Sequence, residues 1–157
     1  MKSGSLALFL LLPALTAGAA EKLSCPNLVT AMQVGNCPSE VELQFTFNGF
    51  CSDNRRMYQD DAALCTDYRD YRQHKNVVAW ESQDGAFMAY LSCDLPAASI
   101  KAARVIRIEV ARQGKISRVA CHYGEGITFT HRSRRECRLA GPAECAGSPL
   151  SCQASCE

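Results

Sequence analysis

Val119-Ala-Cys-His-Tyr-Gly-Glu-Gly-Ile-Thr-Phe-Thr-His131 decides the reading of this chain. Val119, Cys121 and Tyr123 alternate with Ala120 and His122. Gly124-Glu125-Gly126 offers a turn, and Ile127 and Phe129 then alternate with Thr128 and Thr130. Period-two alternation on both sides of a glycine-rich turn predicts a half-buried β-hairpin.

Outward from this hairpin the same pattern recurs. Ile106, Ile108 and Val110 oppose Arg107 and Glu109, and Gln113-Gly114 turns the chain. Upstream, Val77–Ser82 and Phe87–Cys93 flank Gln83-Asp84-Gly85, and Asp-Gly supplies the positive φ that tight hairpins need. Trp80 and Val78 are predicted to be buried, with Met88 and Tyr90 facing away from Phe87, Ala89 and Leu91. Val41-Glu-Leu-Gln-Phe-Thr-Phe47 also alternates and predicts a strand. Between Cys51 and Lys75 the chain is charged and poor in β-branched residues. Leu64, Tyr68 and Tyr71 recur there at helical spacing, with Asp60 or Asp61 placed to cap, which predicts a short helix near Asp61 to His74.

Downstream, extended pairing through Leu139 would gather Ile127, Phe129, His131, Cys137 and Leu139 on one face. Thr128, Thr130, Arg132, Arg134, Glu136 and Arg138 fall on the other. Arg135 breaks the alternation and predicts a bulge or loop near Ser133. The fold class is therefore mainly β, with α+β as the alternative. It is expected to be a disulfide-stapled antiparallel meander or sandwich of about six strands with one short helix.

Three segments are expected. Lys2, the apolar run Leu6 to Leu15 and the small residues Thr16 to Ala20 make residues 1–20 a secretory signal peptide. Residues 21–140 form the β-rich domain, and residues 141–157 an irregular, Cys-rich C-terminal tail. Leu23-Ser24-Cys25 approaches a lipidation motif, but Lys22 stands where an apolar residue is expected. No later segment is apolar enough to span a bilayer as a helix. The chain is thus expected to be exported, to the periplasm or the extracellular space.

All ten cysteines follow the signal: Cys25, Cys37, Cys51, Cys65, Cys93, Cys121, Cys137, Cys145, Cys152 and Cys156. An even, high count in an exported chain, without any C-x-x-C pair, predicts disulfides and not metal. Ten cysteines permit roughly 945 pairings. Cys121 and Cys137 are expected to be oxidised and near one another, with a bond between them among the pairings left open.

Charge is balanced in total and divided along the chain. Residues 21–99 hold six Lys/Arg against eleven Asp/Glu, and residues 100–157 hold ten against five. Such a division fits halves that neutralise each other, or a basic face that docks an acidic partner. A neutral total excludes the strongly basic profile of nucleic-acid binding.

Catalytic signatures are absent: there is no G-x-S-x-G, H-E-x-x-H, P-loop or G-x-G-x-x-G. Parity puts His122 and His131 on opposite faces, which disfavours a shared metal site. No metal or cofactor is expected. Two clusters remain as candidate binding residues. Arg132, Arg134, Arg135 and Arg138 carry guanidinium forks suited to carboxylates. Tyr68, Tyr71 and Arg72 are residue types that anchor interfaces.

Cys25-Pro26, Cys121-His122-Tyr123 and Cys137 together resemble the layout of an uncharacterised family of small exported cysteine-containing bacterial proteins. That resemblance implies a β-rich body and assigns no catalytic residue, and the tail after Gly141 departs from it. In style the chain is also similar to periplasmic immunity and inhibitor proteins. The expected function is a non-catalytic exported binding protein, of inhibitor or toxin-neutralising type, whose partner is another protein or an anionic envelope component. Two alternatives stand beside it. One is a small secreted hydrolase that pairs Asp60, Asp61, Asp67 or Asp70 with His74 or His122. The other is a structural envelope component.

Overall fold

The computed structural model describes residues 20–146 and 148–157. The expected signal peptide over residues 1–20 lies outside them, apart from Ala20.

The chain is mainly β, as two antiparallel sheets stapled by five disulfides. Among the described residues there are nine strands where about six were expected. β1 is Glu21–Ser24, β2 Met32–Val34, β3 Val77–Glu81, β4 Met88–Ser92 and β5 Arg107–Gln113. β6 is Ile116–Gly124, β7 Ile127–Ser133, β8 Cys137–Leu139 and β9 Gln153–Cys156. The larger sheet has the order β2-β3-β4-β7-β6-β5, and the smaller β1-β9-β8.

Both predicted hairpins form. In β3–β4, Gly85 takes φ +68°. The turn is closed by Asp84, whose carboxylate accepts from the Ser82 hydroxyl at 2.6 Å and the Ala86 amide at 3.0 Å. In β6–β7, Gly124, Glu125 and Gly126 all have positive φ, and the register shifts between His122 and Gly124. The alternation reads out as foreseen. Val78, Trp80, Phe87, Ala89, Leu91, Val119, Cys121, Tyr123, Ile127 and Phe129 are buried on one face. Leu23, Cys137, Ala154 and Cys156 of the smaller sheet join the same cluster, so one core is shared by both sheets.

Four expectations are corrected. First, Val41–Phe47 is not a strand but lies in α1, Glu40–Cys51. Ser39 and Glu42 form a capping box: the Glu42 carboxylate accepts from the Ser39 amide at 2.7 Å, and Ser39 Oγ accepts from the Glu42 amide at 3.3 Å. Leu43, Phe47 and Phe50 then make an inward helical stripe, while Val41 and Phe45 stand 77% and 78% exposed.

Second, where a single helix was expected there are four α-helices among the described residues. The segment near Asp61 to His74 holds two of them, α2 (Ala62–Thr66) and α3 (Tyr68–Lys75). Asp61 is the N-cap residue of α2 but makes no side-chain capping bond, whereas extended Asp67 caps α3, its Oδ1 accepting from the Arg69 amide at 2.8 Å. α4 (Ala97–Ala102) precedes β5.

Third, extended pairing does not run on to Leu139. The chain leaves the larger sheet at Ser133, and β8 belongs to the other sheet, which ends the parity argument there. Fourth, the tail is not irregular throughout. β9 is the central strand of the smaller sheet, pairing Glu21–Ser24 on one side and Cys137–Leu139 on the other.

The disulfides are Cys25–Cys121, Cys37–Cys93, Cys51–Cys65, Cys137–Cys156 and Cys145–Cys152. Cys121 and Cys137 are both oxidised, but not to each other. Among the described residues no helix is long and apolar enough to cross a membrane.

Candidate docking face

The outer face of the larger sheet is assembled by register. Arg118 on β6 stands directly opposite Arg132 on β7, and Ala111 on β5 lies beyond Arg118. The next row runs Thr130, Ala120, Glu109, and the next Thr128, His122, Arg107. Like charges placed opposite one another on a ladder repel. The carboxylate nearest this group is Glu109, which lies 3.8 Å from Arg118, 3.5 Å from Arg107 and 3.5 Å from His122 Nε2. Arg132 makes no ion pair among the described residues. Arg112, Gln113 and Ile116 complete the rim of an open groove of about 790 Å³ with Ala111, Arg118 and Arg132.

The expected arginine row is divided by the sheet switch at Ser133. Arg132 belongs to the outer face, and Arg134 is exposed in the following turn. Arg135 reaches Glu21 at 3.6 Å, and Arg138 reaches Glu136 at 2.8 Å. Glu136 also lies 3.5 Å from Arg112. The hydrogen bond from Arg138 holds the Glu136 carboxyl below its usual range. Arg135 and Arg138 thus have intramolecular partners, while Arg118 and Arg107 were not among the expected site residues. Their signal was present as the parity opposite to Val119 and Ile108, but which strand lies beside which follows only from the register.

Tyr68, Tyr71 and Arg72 serve the fold. Tyr71 is buried and meets Phe47 edge to face at 5.2 Å. Tyr68 donates to Glu40 Oε1 at 2.5 Å, and Arg72 Nε donates to Glu40 Oε2 at 3.1 Å. The other Arg72 nitrogens take Asp94 at 3.0 and 3.2 Å, and Asn76 Nδ2 donates to the same carboxylate. Arg72 therefore clamps α3 to α1 and to the turn after β4. Hydrogen bonds from Arg72 lower the Asp94 pKa. That of Glu40 is lowered by Tyr68 first and then by Arg72.

The histidines are separated. His131 Nδ1 meets the Ala86 carbonyl at 2.7 Å, and His122 Nδ1 meets Thr128 Oγ1 at 3.0 Å on the other face. His74 Nδ1 lies 2.8 Å from the Asp70 carbonyl, not its carboxylate. Asp60 pairs with Arg55 and Asp67 with Arg69. The Asp–His pairing on which the hydrolase alternative rests is not formed among the described residues.

No family model, curated protein or solved structure matches the chain.

Proposed function

We propose that this protein is an exported, non-catalytic binding protein of the periplasm or extracellular space, and that it docks an acidic protein partner in the manner of an inhibitor or immunity protein. The observation that carries this reading is the cross-strand Arg118–Arg132 pair, with Arg107 two rows away and Glu109 in the row between as the nearby carboxylate. Guanidinium forks held side by side on a rigid sheet suit carboxylates on a facing surface. Holding like charges together costs stability unless a ligand neutralises them. Five disulfides supply the rigidity that keeps an exported docking surface organised.

The test compares immobilised wild-type protein with an Arg118→Glu/Arg132→Glu variant, each challenged with envelope and culture-fluid fractions at low salt. An acidic protein held by the wild type, released by raised salt and lost from the variant is the expected result. Equal retention on both would overturn the reading.

A further inference from the structure

The outer face has a second half that the arginines do not explain. Strand by strand, one row crosses the whole larger sheet: Met32, Glu81, Met88, Thr130, Ala120, Glu109. Beside it run Val34, Ala79 and Tyr90. Tyr90 is 71% exposed, Met32 57%, Val34 45% and Met88 41%. Such side chains are out of place on the solvated face of an antiparallel sheet, where polar residues are expected. Met32 with Val34 on β2 and Met88 with Tyr90 on β4 form two pairs that flank Glu81 and Ala79 on β3, and clustering, not single exposure, marks an interaction surface. Ala120, Thr128 and Thr130, with the partly buried His122 between Thr128 and Arg107, lie between this apolar half and the Arg107, Arg118 and Arg132 half.

We infer that the apolar half and the arginine half form one interface, and that its occupant is a protein surface carrying an apolar anchor beside a cluster of carboxylates. This rests on the docking reading above and specifies its partner. The charge pattern supplies the acidic part: three arginines against Glu109 on β5–β7. The exposed tyrosine and methionines supply the apolar part, since Tyr is enriched at binding hot spots and Met adapts its shape to a partner. From the Met88 strand to the Arg118 strand is two strand spacings, about 10 Å. That is close to the breadth of a helix with its side chains, about 10–12 Å, so an amphipathic acidic helix would place one stripe on each half. Six strands give a face about 24 Å wide.

The experiment measures fluorescence anisotropy of a labelled amphipathic peptide with a glutamate stripe beside a leucine–phenylalanine stripe. A scrambled version, a lysine-for-glutamate version and polyglutamate serve as comparisons. Vesicles of anionic phospholipid are tested by cosedimentation. The glutamate peptide is expected to bind wild-type protein at least about tenfold more tightly than the other peptides. Tyr90→Ala/Met88→Ala and Arg118→Glu/Arg132→Glu should each weaken it by about tenfold or more. If only the charge reversal matters and polyglutamate binds as well, the basic end survives and the two-part face fails. If the charge reversal has no effect, the docking reading itself fails. Preference for vesicles would overturn the proposal. So would wild-type self-association that Tyr90→Ala abolishes, because the occupant would then be a membrane or a second copy.

Discussion

Cys25 and Cys121 are joined by a disulfide that ties the residue just after β1 to the middle of β6, 96 positions later. Both are buried, so the bond pins the smaller sheet to the centre of the shared core. A long closed loop restricts the unfolded chain most, by about 4.7 kcal/mol at roughly 100 residues and about 3 kcal/mol at roughly 15. Cys25→Ala/Cys121→Ala is therefore expected to lose more stability than Cys51→Ala/Cys65→Ala, whose bond spans 14 positions. Urea denaturation of both variants checks the order. Nonreducing peptide mapping should recover Cys121 linked to Cys25 and Cys137 linked to Cys156.

β9 makes the tail a part of the fold. Truncation before Ser151 would remove the central strand of the smaller sheet together with Cys152 and Cys156, leaving Cys137 and Cys145 as free thiols. The expected outcome is loss of cooperative unfolding of the whole chain. A truncated protein with wild-type thermal unfolding would contradict the shared core.

The capping box at Ser39 and Glu42 decides that α1 is a helix. Ser39→Ala should cost about 1 kcal/mol, read as reduced helicity and a lower denaturant midpoint. Hydrogen bonds from the Ser39 amide and hydroxyl hold Glu42 below its ordinary pKa of 4.5. A carboxyl depressed on folding adds stability above its unfolded pKa. That contribution disappears as pH falls through the lower folded value. The wild type should therefore lose α1 stability with acidification below about pH 4.5. Ser39→Ala should lose less, because the hydroxyl's share of the depression is removed while that of the residue 39 amide remains.

The Arg72 clamp carries the same sign. Asp94 and Glu40 are both depressed, so attachment of α3 should weaken as pH falls through their folded values. Arg72→Gln should flatten that acid dependence, as read by hydrogen exchange of the α3 amides. Tyr68 moves the other way. Burial, then its hydrogen bond to Glu40, pushes its pKa up to about 12. Its contribution is present below the usual tyrosine pKa and is lost as pH rises from there through the raised folded value. In Glu40→Gln the Tyr68 phenolate should appear at lower pH, seen as a difference in ultraviolet tyrosinate absorbance.

What the residues determined by themselves was local and periodic. Alternation around Gly124–Gly126 and Asp84-Gly85 specified both hairpins, because a period of two assigns each side chain to a face without knowledge of its neighbours. The same rule misread Val41–Phe47. There the alternation coexisted with a helical stripe at Leu43, Phe47 and Phe50, and Ser39-x-x-Glu42 settles the choice in favour of the helix. The cysteine count foretold oxidation, and the five bonds leave no free thiol.

Tertiary structure alone decided the rest. Which cysteine meets which depends on chain paths up to 96 residues long, and local pattern carries no information at that range. Sheet order placed Arg132 opposite Arg118 and set Met88 in the row of Met32, while the sheet switch after Ser133 sent Arg135 and Arg138 to Glu21 and Glu136. A candidate interface is a property of strands side by side. Only the register brings together residues that the sequence scatters from Met32 to Arg132.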